Sequence, residues 1–186
     1  MAQTDINLIF TGGNTGSAQA ITSSTVISTG IYDLATGLMN TGSTYATSPI
    51  NDGNATYYGE DLGIGPKRLM MYAAIGTTFA GGTSLNIAIQ AAVDTQGSGN
   101  FSGLTFQTIA ETGAIPLANL TASNSYIPLP DIPRRAAGQK LYRFLQLAYI
   151  PVGTFTAGTI SFAGMVSERP DFQTGPAYAG NFTVGA

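Results

Sequence analysis

The chain has 186 residues, a net charge of −3, and only 9% charged residues against 44% hydrophobic ones. That length allows one domain with a core large enough to need no covalent staples. The hydrophobic share excludes disorder on composition, and the lack of a basic run excludes the electrostatic footprint of a nucleic-acid binder.

Typical soluble domains carry about 25% charged residues, so another chemistry must solvate this surface. Thr, Ser, Asn, Gln and Gly recur in every loop and fill that role. There is no Cys and no His. Disulfides and thiolate metal sites are thereby excluded, and the commonest metal ligand and general base are missing. Met1 to Asp5 has no basic region, and the apolar run Ile6 to Phe10 is too short for a secretory segment. No apolar run approaches the roughly 20 residues of a membrane helix. A soluble protein made in the cytoplasm without classical export, and without a membrane partner, is expected.

Residues 1–20 are rich in Gly and Thr, with a turn at Gly12-Gly13-Asn14. They read as an N-terminal arm. Residues 21–34 read as strand through Ile21, Thr22, Thr25, Val26, Ile27, Ile31 and Tyr32, with a bend at Gly30. Residues 35–66 hold many turn formers, among them Pro49, Asn51-Asp52-Gly53-Asn54 and Gly65-Pro66. A connection of that length is unusual inside a compact domain and is often functional. Tyr57-Tyr58 fits a short strand within it.

Leu69 to Phe79 is apolar on both faces and predicts a buried central strand. Gly81-Gly82 turns the chain. Ser84 to Val93 alternates, with Leu85, Ile87, Ile89, Ala91 and Val93 on the core face. Asp94 to Asn100 is a polar hairpin loop, and Phe101 to Ala110 returns as a strand. Ile115 to Leu120 allows a short helix, while Leu117 to Ala122 and Tyr126 to Leu129 fit short edge strands. Leu141 to Ile150 is a second buried strand, with Arg143 and Gln146 as polar exceptions, broken at Pro151-Val152-Gly153. Thr159 to Val166 alternates again, with Ile160, Phe162 and Val166 on one side. No long stretch has apolar residues at helical spacing. The reading is an all-β single domain over 1–167, a sandwich, jelly roll or barrel, followed by an extended C-terminal arm over 168–186.

Catalysis needs groups that titrate or attack. Most of the ten carboxylates sit in turns, where Asp caps the backbone. Glu60-Asp61, with Asp52, offers oxygen ligands of the kind Ca²⁺ takes, but no EF-hand spacing supports it and a solvated loop is favoured. Gly63-Ile64-Gly65-Pro66-Lys67-Arg68 superficially resembles a phosphate loop. It lacks the full spacing, and a strand follows instead of the helix that would receive the anion. No catalytic residue, cofactor or metal ligand is assigned, and the chain is not expected to be an enzyme.

Surface for other proteins remains. Interface cores are depleted in charge and enriched in aromatics, which matches this composition. The C-terminal arm places Phe172, Tyr178 and Phe182 in a Gly- and Pro-rich segment suited to docking on a neighbour. Arg134, Arg135 and Lys140 form the densest basic patch, on a loop before a buried strand, and are candidates for an acidic protein face.

Several stretches carry a resemblance. They are Leu85 to Asp94 followed by Phe101-Ser102-Gly103-Leu104, Ile115 to Ala122, Leu129-Pro130, Leu141 to Tyr149, and Gly153 to Ile160. Tyr32-Asp33-Leu34 and Glu60 to Gly65 fit the same pattern. Together, over roughly residues 20–167, they resemble the capsid cement (decoration) proteins of tailed bacteriophages. The resemblance implies a jelly-roll-type β-sandwich on the outer capsid surface of the virion. It implies that the chain bridges neighbouring copies of the major capsid protein and associates with itself, as a homo-dimer or homo-trimer. The inserted loop 35–66 and the arm 168–186 depart from the family and are expected to be contact elements. Two other classes fit the composition: a carbohydrate-binding β-sandwich, marked by an exposed aromatic platform, and a phage tail or fibre structural protein.

Overall fold

The computed structural model describes residues 9–12, 18–34, 38–41, 69–95, 100–122, 126–132 and 142–167. Twelve strands occur among them. They are β1 (Ile9–Thr11), β2 (Gln19–Ala20), β3 (Val26–Ile27), β4 (Gly30–Asp33), β5 (Leu38–Thr41), β6 (Leu69–Gly81) and β7 (Ser84–Ala92). β8 (Gln107–Glu111), β9 (Ile115–Pro116), β10 (Tyr126–Pro128), β11 (Phe144–Val152) and β12 (Phe155–Ser167) complete the set. They form two antiparallel sheets, so the fold is an all-β sandwich. Sheet A runs β1-β12-β6-β10, with β2 also on β12. Sheet B runs β5-β4-β11-β7-β8, with β3 also on β11 and β9 also on β7.

The alternation in β7 places Leu85, Ile87, Ile89 and Ala91 in the core, opposite Leu145, Leu147 and Tyr149 of β11. Sheet A answers with Phe10, Met71, Ala73, Ile75, Ile160, Ala163 and Met165. Burying such side chains supplies about 1.5–3 kcal/mol each before entropy is counted. The far face of β11 is also buried, and there Gln146 donates to Gln90 at 2.9 Å, which satisfies a polar pair that burial would otherwise penalise.

Two corners carry the chain between sheets at one end. β6 leaves sheet A and enters β7 through Gly81-Gly82-Thr83, and β11 leaves sheet B and enters β12 through Gly153-Thr154. The corners sit against each other, with the Thr83 amide donating to the Val152 carbonyl at 2.8 Å. Gly82 has φ +59 and lies under the Phe155 ring, where a Cβ would come within 2.6 Å. Only Gly meets both demands at that position.

Several elements differ from the sequence reading. Residues 21–34 form two short strands, β3 and β4, because Ser28 turns inward to donate to the Gly30 carbonyl and interrupts the ladder. Residues 101–106 are a turn, not strand. Residues 115–120 divide into β9 and a single 3-10 turn at Leu117–Asn119. In β12 the pairing slips between Ile160 and Phe162, a β-bulge at Ser161. Ile160 therefore points into the core, while Phe162 is half-buried and turns to the other face. Gly12, at φ +85, lets the chain cross this bulge, since a Cβ there would lie 2.0 Å from the Ser161 carbonyl oxygen.

Charge is concentrated at the opposite end of sheet B. Phe144 is the register partner of both Asp33 and Ala92, so Arg143, Asp33 and Asp94 meet there. Arg143 grips Asp33 with two parallel bonds, Nε–Oδ1 and Nη2–Oδ2, each 3.0 Å. Its Nη1 donates to Asp94 Oδ2 at 2.8 Å. Bidentate, charge-assisted geometry of this kind fixes three strands in register. The Asp33 and Asp94 side chains are only 2% and 5% exposed, so neither carboxylate tolerates the loss of its partner.

A second polar network crosses the core. Thr11 Oγ1 donates to Gln19 Oε1 at 2.9 Å, so the Tyr149 hydroxyl, 2.8 Å away, is the donor to Thr11. The Gln19 amide donates in turn to the Ile27 carbonyl. The chain of donors ties β1 and β2 of sheet A to β11 and β3 of sheet B. Burial pushes the Tyr149 phenol well above its ordinary pKa.

Arg143→Met is predicted to destabilise the fold by about 3–5 kcal/mol, because it leaves two buried carboxylates facing each other. Urea unfolding with an unchanged slope and a shift below about 1 kcal/mol would show that the cluster is not a structural tie.

Tyr149 yields a pH prediction. Its folded pKa is raised, so its neutral form is favoured by folding. That stability is fully present below the unfolded value of 10.0 and is lost as pH rises above it. Tyr149→Phe should cost about 1–2 kcal/mol at neutral pH, from the lost bond to Thr11. The gap to the wild type should narrow at pH 11. Chemical denaturation of both proteins at pH 7 and 11 checks this, and a constant gap would refute it.

Candidate functional site

The outer face of sheet A carries the feature that distinguishes this surface. β6 presents Met70, Tyr72 and Ala74 there, because Met71, Ala73 and Ile75 take the core face. β10 lies on one side of β6 and β12 on the other. Tyr126 of β10 and Phe162 of β12 both pair with Ala74, while Pro128 and Gly164 both pair with Tyr72. The small Ala74 and Gly164 leave room for the rings to lean toward Tyr72. The Tyr126 ring meets Tyr72 edge-on with centroids 5.4 Å apart, and Phe162 lies 5.1 Å from Tyr72 on the other side. These separations fall in the favourable range for aromatic pairs.

Three rings thus form a row across three strands. Tyr126 is 68% exposed and Met70 52%. None of Met70, Tyr72, Ala74, Tyr126, Pro128 and Phe162 is charged. Burial and the neighbouring Tyr126 phenol raise the Tyr72 pKa, so its hydroxyl stays neutral at physiological pH. Contiguous exposed apolar surface of this kind marks contact with another molecule. Pro128 removes a donor from the edge strand and so discourages strand addition along β10.

Asp33 and Asp94 are acceptors for Arg143. Glu111 accepts from the Asn86 amide at 2.8 Å. Among the described residues no group of three or more His, Cys, Asp and Glu could hold a metal ion.

The contact candidates Arg134, Arg135, Lys140, Phe172, Tyr178 and Phe182 all lie outside the described residues, as do Asp52, Glu60-Asp61 and Tyr57-Tyr58. The residues of the aromatic row were not singled out from the sequence. Of its rings only Tyr72 lies in Leu69 to Phe79, whose apolar character predicts burial on both faces, and Tyr126 and Phe162 join it only through strand pairing. Only one face of that strand is buried.

No protein-family model matches this sequence, and no curated protein matches it either. A reading of its role stands on its residues and its fold.

Proposed function

We propose that the chain is a structural virion protein, a capsid cement (decoration) protein that binds the outer surface of an assembled phage capsid. It bridges neighbouring major capsid proteins and stabilises the shell. The observation that carries this reading is the neutral aromatic row Tyr126-Tyr72-Phe162, with Met70 beside it, on the open face of sheet A. Aromatics and Met are enriched at protein interfaces, and Tyr is frequent among the residues that dominate binding. The scarcity of charge, 9% of residues, fits a surface that is buried in an assembly.

The mechanism needs no chemistry. A protein that binds the assembled shell and not its dissociated parts stabilises the shell by mass action. Many copies, each with a modest interface, add avidity. The candidate contacts in 35–66, in Arg134, Arg135 and Lys140, and in the 168–186 arm belong to the same proposal. An exposed aromatic platform is also the mark of a carbohydrate-binding sandwich, and here the Tyr72 and Tyr126 hydroxyls are the only hydrogen-bonding side-chain groups of the row, since Met70, Ala74, Pro128 and Phe162 offer a sugar none. A tail or fibre role predicts location away from the shell.

Co-sedimentation with capsids that lack the protein tests the proposal. Saturable binding at a fixed ratio to the major capsid protein is expected. Affinity should change less than about threefold between about 0.05 and 0.5 M NaCl, since little of the interface is screenable. The double variant Met70→Ser/Tyr126→Ser should keep its stability within about 1 kcal/mol and bind at least about tenfold more weakly. A folded double variant that pellets like the wild type removes this face from the interface, and a wild type that stays in the supernatant removes the function.

A further inference from the structure

A second feature lies in sheet B, apart from the aromatic row. β7 and β8 diverge around a cleft of about 380 Å³. Ala91, Val93 and Leu104 give it an apolar lining, and Gly103 stands at its rim. Thr95, Thr105, Gln107 and Tyr142 supply polar groups. No hydrogen bond within the described structure uses the side chains of these four residues. The residues that line this space thus bring two hydroxyls, an amide and a phenol that no protein group in the described structure engages.

The walls are held in place. Tyr142 precedes Arg143, whose amide donates to the Ala92 carbonyl at 2.8 Å. Val93 and Thr95 flank Asp94, which Arg143 holds at 2.8 Å. The third wall, 101–105, is fixed by the Ser102 amide on Asn100 Oδ1 at 2.7 Å and by the Phe101 ring against Phe144, 6.0 Å between centroids. A site positioned by three such restraints loses little entropy on binding.

The lining decides the ligand class. No lining residue is charged, and the adjacent cluster sets one cation, Arg143, against two carboxylates, Asp33 and Asp94, so the cleft has no basis for selecting an anion. Neutral donors and acceptors over an apolar floor match the alternating hydroxyl and C–H surfaces of a sugar. The volume is at the small end of the roughly 300–1,000 Å³ range for ligand sites. We propose that this cleft binds a neutral saccharide of one or two rings. The inference is independent of the capsid-binding face, which lies on the other sheet.

The test is amide-resolved NMR titration of the full chain with glucose, galactose, mannose, N-acetylglucosamine, maltose and lactose, each to about 50 mM. At least one sugar should give saturable shifts at Val93, Leu104 and Gln107, with a Kd of about 1 mM. Gln107→Ala should weaken that binding about tenfold, and Tyr126→Ser should leave it unchanged. Absence of saturable shifts across all six sugars overturns the proposal. So does a Gln107→Ala variant that binds as tightly as the wild type, or shifts that fall on the Tyr126 face instead.

Discussion

The antiparallel pairing of β6 with β12, and the bulge at Ser161 that is the last of four register shifts along it, governs most of what is notable about this molecule. The two strands run side by side from the Phe155–Gly81 pair to the Ser167–Leu69 pair. Strand side chains alternate strictly, so an uninterrupted β12 would send Ile160 and Phe162 to the same face. The bulge at Ser161 adds one residue and reverses that relation. Ile160 seals the core, and Phe162 emerges beside Tyr72. Gly12 and Gly76 make the bulge sterically feasible, because a Cβ on either would approach Ser161 within 3.0 Å. One local irregularity thus builds both the interior of the sandwich and its exposed aromatic face.

The second constraint is the scarcity of charge. A chain with so few ionic groups places one of its seven cations, Arg143, in a buried cluster with two of its ten carboxylates. That choice costs desolvation but fixes β4, β11 and the end of β7 at one point. One cation against two carboxylates leaves a net negative charge beside the neighbouring cleft. On the exposed face of sheet A, Met70, Tyr72, Tyr126 and Phe162 carry no charge, so a partner there is recognised by shape and ring stacking, not by long-range attraction.

Much of the fold was legible in the sequence. The period-two alternation within Ser84 to Ala92 and the buried character of Phe144 to Tyr149 are local signals that tertiary packing did not override. Gly81-Gly82 and Gly153 marked the chain reversals, although the sequence does not reveal that both carry the chain between sheets. The bulge at Ser161 was not legible. Gly12 and Gly76, which give it room, are distant from it in sequence and indistinguishable there from other glycines. The partners of Arg143 were equally hidden, since Asp33 and Asp94 read as ordinary turn residues until register brings them together. The aromatic row was obscured for another reason. Apolar residues on both faces of a strand signal burial on both only when something covers the second face.

The central claim is that the open face of sheet A meets the capsid. Site-specific photo-cross-linking tests it most directly, with a benzophenone amino acid in place of Tyr126 and, separately, in place of Thr108, which is exposed on β8 of the other sheet. On irradiated particles the Tyr126 position should yield an adduct with the major capsid protein and the Thr108 position should not. An adduct from Thr108 alone, or from neither position on particles that retain the protein, would contradict the account.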